Sequence, residues 1–274
     1  MKRNEVGVIT GLHADHSNLA GIAAMGLKVC QFNVWNQGPW CDEAVRNYPA
    51  ASRRYGVKAT SLWVGWPGPA VWDFVKGPET LGIVPRKYRA MRVKVLKRGA
   101  DLAARLRIPA IITHLGFIPE NPTDPMFGSV VRAVRDIALH CKRRGLGFWF
   151  ETGQETPVTV LRLIETVGTG NLGVNLDPAN LILYGKANPI DALDVFGKHV
   201  KCVHAKDGMY PTHPMYLGHE VKVGTGKVRF PEFVKRLREV GFKGDFIIER
   251  EISGEQQKKD IADTVKYLRR LINR

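Results

Sequence analysis

Four acidic or imidazole residues in the second half of the chain each close a short apolar run. They are Glu151 in GFWFE, Asp177 in LGVNLD, His204 in VKCVH and Glu249 in DFIIE. Each run reads as a buried strand whose last side chain is able to ligate a metal. Three carboxylates and an imidazole suit one divalent cation, Mn²⁺ first, with Co²⁺, Mg²⁺ or Zn²⁺ as alternatives. Taken singly, each residue reads equally well as a helix N-cap or an ion-pair partner. Four at consecutive strand ends is harder to explain by capping, because unpaired acids brought together repel and a bound cation removes that cost.

The elements that must position them recur along the whole chain. Strand-like runs fall near Glu5–Thr10, Lys28–Asn33, Val57–Trp63, Ala110–His114, Gly147–Glu151, Leu172–Asp177, Val200–His204 and Asp245–Glu249. Helical periodicity is clearest at Arg86–Leu106 and Ser129–Arg144, with apolar residues three or four apart and charges between. Pro231–Val240 opens on proline and stops before Gly241, and Ile261–Leu271 reads as the last outer helix. Strands alternating with helices imply βα units and a parallel sheet, and eight units imply closure. The predicted fold is α/β, a single-domain (β/α)8 TIM barrel over residues 1–274. In such a barrel all strand C-termini open at one mouth, where the four residues would converge. The long segments Trp63–Val84, Leu115–Gly128 and Lys206–Lys227 would lie there too.

Bulk properties narrow the class. A chain of 274 residues, 44% hydrophobic, suits one barrel with a substantial core. No apolar run is long enough to span a membrane, and no signal-peptide pattern opens the chain, which predicts a cytoplasmic protein with no membrane partner. Cys30, Cys41, Cys141 and Cys202 form no C-x-x-C pair and read as free thiols, mostly buried. The net charge of +15 raises nucleic-acid binding. However, the basic pairs Arg53-Arg54, Lys97-Arg98, Arg143-Arg144 and Lys258-Lys259 fall in four predicted helices. That scatter favours a solvated surface and no nucleic-acid partner.

The segments FWFETGQETP, NLGVNLDPANLILYG, VKCVHAKDG, VGTGKVRFPEF and FIIEREISG, in this order, resemble the xylose isomerase-like TIM-barrel superfamily of sugar isomerases and epimerases. THLGFIPEN fits its fourth strand and loop. The resemblance implies that Glu151, Asp177, His204 and Glu249 hold one divalent metal. Its ketose 3-epimerases imply catalysis by proton transfer next to a carbonyl through a metal-stabilised enediolate, with Glu151 and Glu249 on opposite faces of the substrate. The partner would be a small carbohydrate, and the resemblance also implies a homo-oligomer. A lyase of the same superfamily, acting on a keto-polyol or 3-keto-glycoside, shares the first step.

The chain departs from the epimerase pattern at Asn180, where those enzymes usually carry histidine three residues after the aspartate. Asn180 still donates and accepts hydrogen bonds, and is read as substrate-binding. His114, Glu155 and Lys206 are the other candidate substrate contacts. His114 closes the fourth strand. Glu155 reads alternatively as a first-turn acid of the next helix. Lys206 lies in the H-x-K-D segment and would serve as an acid or base if its pKa were lowered; otherwise it pairs with Asp207. His13 and His16 read as surface histidines. Trp35, Trp40, Trp63, Trp66 and Trp72 fall in the loops after the second and third strands, as a hydrophobic wall or a loop mini-core. VGTGK lacks the spacing of a phosphate loop and reads as a turn. The AP endonucleases share the fold, but the histidines that complete a three-zinc site are missing at Asn180 and in Asp207-Gly208-Met209.

Overall fold

The computed structural model describes residues 4–35 and 40–273. Ten strands follow in chain order: β1 Val6–Gly11, β2 Val29–Val34, β3 Lys58–Val64, β4 Ala110–Thr113, β5 Gly147–Glu151, β6 Leu172–Leu176, β7 Val200–Ala205, β8 Asp207–Gly208, β9 Glu220–Val221 and β10 Asp245–Ile248. Eight of them close a parallel barrel in the order β1-β10-β7-β6-β5-β4-β3-β2, and β8 pairs antiparallel with β9 as a separate hairpin. The helices are α1 Leu19–Ala24, α2 Asp42–Tyr55, α3 Gly77–Thr80, α4 Arg86–Arg105, α5 Pro125–Lys142, α6 Pro157–Val167, α7 Pro178–Leu183, α8 Pro189–Phe196, α9 Phe230–Glu239 and α10 Glu255–Ile272.

Local sequence explains the element ends. Asp124 accepts from Met126 N at 2.7 Å and Pro125 opens α5, while Thr156 and Pro157 do the same for α6. Gly56, Gly168 and Gly241 follow α2, α6 and α9 at positive φ. The eight predicted strands all form, most within a residue or two of the expected bounds. Helices were expected to begin at Ser129 and Ile261 but begin at Pro125 and Glu255, because proline and acidic first turns extend them beyond the apolar periodicity.

Alternation along the strands sends one set of side chains out to the helices and the other into the lumen. The outward set, including Val8, Phe32, Leu62, Ile111, Phe148, Val174, Val203 and Ile248, packs with the helices in the main core. Inside, Val29, Cys202 and Ile247 form a cluster with Ile9 and Trp149, from five different strands. Cys30, Cys141 and Cys202 are buried free thiols, pushed up to about 12 by burial. No helix among the described residues is long and apolar enough to cross a membrane.

Candidate metal centre at the barrel mouth

Glu151 ends β5, Asp177 follows β6, His204 lies in β7 and Glu249 follows β10. Each offers a ligand atom, and the four atoms lie within 4.8 Å of one another. His204 Nδ1 is 3.0 Å from Glu151 Oε1, 3.3 Å from Glu249 Oε2 and 3.7 Å from Asp177 Oδ2. Asp177 and His204 are fully buried, Glu151 nearly so and Glu249 partly. Asp177 serves two roles. Its Oδ1 caps α7 by accepting from Asn180 N at 2.8 Å, so the N-cap reading was also correct. Its Oδ2 is buried with no hydrogen-bond partner, as is His204 Nδ1. Buried polar atoms are ordinarily paired, and a divalent cation in this cluster would satisfy both.

The surrounding groups orient the set. His204 Nε2 lies 2.8 Å from Gln31 Oε1, whose own amide donates to Ser61 Oγ at 2.9 Å, and 3.0 Å from the Asn175 amide. With Nε2–H given to Gln31, the Nδ1 lone pair faces the carboxylates. Thr152 ties β5 to β6 by exchanging hydrogen bonds with the Asp177 backbone at 2.8 and 2.9 Å. The Trp63 indole N–H donates to Glu151 Oε2. Sequence reasoning missed this shell. The available signal was a polar residue inside an apolar strand, two or more places before the mouth: Gln31, Ser61 and Asn175 all fit it. For Trp63 no such signal existed, since its ring also reads as packing.

The protonation pattern follows from four charged groups held out of water. Burial opposes the Glu151 carboxylate, but the His114 and His204 imidazoles outweigh it and hold Glu151 well below its ordinary value. Burial likewise opposes charge on His204, yet Glu151 and Glu249 pull it well above. Glu249 is held down to about 2 by Lys206 and His204 against burial. Asp177 is raised by burial despite Lys206 nearby. A cation would take the place of the imidazole proton among these carboxylates.

A cavity of about 450 Å³ opens at this mouth, lined by His114, Glu151, Asn180, Lys206 and Glu249 on its polar side and by Trp35, Trp63, Trp72, Leu183, Tyr184 and Leu217 on its apolar side. His114 Nε2 is 3.5 Å from Glu151 Oε1, and its ring meets Trp72 edge-on at 5.0 Å. Asn180 Nδ2 lies 3.5 Å from Glu151 Oε1, and Asn180 Oδ1 lies 3.4 Å from Lys206 Nζ. Three of the four expected substrate contacts therefore line the cavity. Glu155 does not; it is buried before the Thr156 cap rather than in the first turn of α6, and burial raises its pKa to about 7. Glu251 was not singled out, yet it lines the cavity and pairs with Lys206 at 2.8 Å.

One reading of the H-x-K-D segment needs correction, the ion pair between Lys206 and Asp207. Burial opposes charge on Lys206, but Glu249 at 3.3 Å, Asp177 and Glu251 outweigh that and raise it well above its ordinary value. Lys206 does not pair with Asp207. The Asp207 carboxylate accepts from the backbone N–H groups of Gly208, Gly224, Gly226 and Val228 at 2.9 to 3.1 Å. VGTGK is thus a loop wrapped round an internal carboxylate, and a Cβ at Gly226 would lie 2.3 Å from Asp207 Oδ1. His16 is also corrected: it is fully buried, packs on Phe32 and Tyr48, and sits 2.7 Å from Ala44 O. His13 is exposed as expected.

Of the five tryptophans between Trp35 and Trp72, Trp35, Trp63, Trp66 and Trp72 form one contiguous wall with ring centroids 4.9 to 6.3 Å apart. Trp40 stands apart, packed on the outer core beneath Arg98. The wall is backed by a group invisible to motif reasoning. Arg92 of α4 is fully buried and donates to the carbonyls of Pro67, Pro69, Thr80 and Gly82 at 2.6 to 3.3 Å, with its guanidinium 5.3 Å from the Trp66 ring.

Fold and site together define a (β/α)8 barrel whose C-terminal mouth holds a carboxylate–imidazole cluster that could bind a metal. The sequence matches the xylose isomerase-like TIM barrel family over residues 19–271, and the chain belongs to that family. The crystal structure of a xylose isomerase domain protein from Planctomyces limnophilus is 33% identical, with a TM-score of 0.92, covering 98% of this chain and 97% of that one. A D-tagatose 3-epimerase-like protein shares the fold at 18% identity and a TM-score of 0.74, covering 98% of this chain and 97% of that one. An uncharacterized protein of Methanocaldococcus jannaschii, MJ1311, is 24% identical over 191 residues, 66% of this chain and 61% of that protein. The match thus spans less than two thirds of that relative's length.

Proposed function

We propose that the chain is a divalent-metal-dependent isomerase or epimerase of a sugar or keto-sugar, with Glu151, Asp177, His204 and Glu249 as ligands. The observation that carries this reading is the ligand cluster itself: four donor atoms within 4.8 Å, two of them buried without a hydrogen-bond partner, with Glu151 and Glu249 lining a cavity of about 450 Å³. Membership of a family that contains sugar isomerases, and the likeness to an epimerase-like structure, support the reaction class. Mn²⁺ fits the mixed carboxylate–imidazole set best.

A bound divalent cation supplies Lewis-acid polarisation of a substrate carbonyl and acidifies the neighbouring C–H. The chain's own groups do the rest. Glu151 and Glu249 enter the cavity from β5 and β10, on two sides of His204 Nδ1, and serve as base and acid. Trp63 fixes Oε2 of Glu151, while Oε1 faces His204, His114 and Asn180. Lys206, a fixed cation beside Glu249, and Asn180, which reaches both Lys206 and Glu151, bind substrate oxygens. His114 donates to the substrate or to Glu151. Trp35, Trp63 and Trp72 stack against the apolar face of a sugar ring and exclude water. The size and aromatic lining of the cavity also favour a second reading, a lyase that removes the same proton from a glycosylated keto-sugar and then expels a substituent.

The test is deuterium exchange. Mn²⁺-loaded protein is incubated in D₂O with ketoses, keto-sugars and 3-keto-glycosides, and the metal is chelated before NMR. Label next to a carbonyl, lost in Glu151→Gln and Glu249→Gln, supports the reading, and the product separates epimerase from lyase. Exchange that survives both substitutions removes the two glutamates from catalysis.

A further inference from the structure

The N-terminal end of the barrel, opposite the metal cluster, carries a second cavity of about 610 Å³. It is lined by the starts of β3, β7 and β10, by the turns that precede β4, β7 and β10, and by Trp149 of β5. Barrel lumens are ordinarily filled at this level by layers of bulky side chains. Here glycines leave room. A Cβ at Gly147 would stand 2.4 Å from Trp149 Nε1, and one at Gly173 would stand 2.8 Å from Trp149 Cδ1 and 2.6 Å from Lys201 Cγ. The half-buried Trp149 ring and the stem of Lys201 occupy that space.

Five cations line the cavity: Lys58, Arg107, Lys198, Lys201 and Lys243. All five are exposed, and none makes an ion pair or side-chain hydrogen bond among the described residues. The one acid in the lining, Asp245, is buried and accepts from the Glu5 N–H at 3.3 Å. A cation just past a helix end complements the helix dipole, which accounts for Arg107, Lys198 and Lys243 one at a time. It does not account for Lys58 and Lys201, which stand at or next to the start of β3 and β7, nor for an indole in the same cavity. Five like charges round one concavity focus a positive potential into it. Lysines, which supply four of them, act as point charges suited to phosphate.

We propose that this N-terminal vestibule binds a small diphosphate-bearing compound, with Lys58, Lys198, Lys201 and Lys243 on the phosphates and Trp149 against whatever ring or chain is attached. The site is independent of the reaction proposed for the opposite mouth. Its test is calorimetric titration of the full chain with inorganic pyrophosphate and with ADP, at about 50 and 200 mM salt, while tryptophan fluorescence is followed. The expected result is one saturable site per chain that weakens with salt. It weakens about tenfold further in Lys201→Ala/Lys243→Ala, as loss of charge-assisted contacts requires. Lys259→Ala/Lys266→Ala, which removes the same charge from exposed positions of α10, leaves it unchanged. The fluorescence response disappears in Trp149→Phe, and tighter binding of ADP than of pyrophosphate identifies a nucleotide as the source of the diphosphate. Absence of saturable binding, equal weakening in the two double variants, or loss of binding in Lys206→Met overturns the proposal, the last by moving the site to the metal cluster. Far-UV circular dichroism checks that each variant is folded.

Discussion

Replacing Arg92 with methionine should loosen the aromatic side of the pocket without touching any residue that lines it. Arg92 is the largest fully buried side chain, and no carboxylate pairs with it among the described residues. Burial pushes its pKa down to about 10, so it remains charged at neutral pH. Its partners are four carbonyls in the segment between β3 and α4: Pro67, Pro69, Thr80 and Gly82. Methionine keeps the apolar stem but strips a donor from each carbonyl. The Gly82 bond is buried and the other three are half-buried, so at ~1 kcal/mol for an unsatisfied buried acceptor and less for a half-buried one the gross loss is about 2–4 kcal/mol. Relief from burying a charge returns part of it, so the net cost is about 1–3 kcal/mol. The segment has a cheaper escape than global unfolding, because it can open locally and rehydrate its carbonyls. Urea denaturation should therefore show a shifted midpoint. Near-UV circular dichroism should lose the coupling among Trp35, Trp63, Trp66 and Trp72, and hydrogen exchange should rise over residues 65–82. Arg92→Lys, with three donors in place of five, should fall between. A methionine variant within about 0.5 kcal/mol of wild type, with its near-UV spectrum intact, would refute the reasoning.

Trp63→Phe keeps an aromatic ring but removes the donor to Glu151 Oε2; metal affinity measured against a competing chelator should fall about tenfold or more. Asp207→Asn turns an all-acceptor carboxylate into an amide facing four N–H groups. It should cost about 2–3 kcal/mol and expose the Gly208–Lys227 loop to limited proteolysis, and unchanged protease resistance would count against the cradle. Glu155 titrates near 7 in the folded chain because of burial, against an ordinary 4.5. The folded state therefore holds this proton more tightly than the unfolded state. The stability it contributes is full below about pH 4.5 and is lost as pH rises to about 7, by about 3 kcal/mol. Glu155→Gln should flatten that slope in denaturation midpoints taken between pH 5 and 8. An unchanged slope would place the titration elsewhere.

Much of the barrel, and of the carboxylate–imidazole cluster at its mouth, was legible in the chain itself. Strand and helix periods differ, so GFWFE, LGVNLD, VKCVH and DFIIE stood out as strands, and their last residues pointed to one mouth once eight βα units were counted. Asp177 shows the limit of a one-residue reading: cap and candidate ligand are different oxygens of one carboxylate. What sequence could not supply were partners from distant segments. For Lys206, read as a substrate contact or as the partner of Asp207, its neighbour in the chain, the second reading fails: it turns to Glu249 and Glu251, while Asp207 turns to the glycines of VGTGK. His16 was expected at the surface and lies buried against α2. Gln31 supports His204 from 173 residues away, and Trp63 reaches Glu151 across 88. Periodicity is a property of neighbours along the chain and survives as local structure. Hydrogen-bond partnership across a closed barrel depends on strand order, register and burial, which exist only once the eighth strand has met the first.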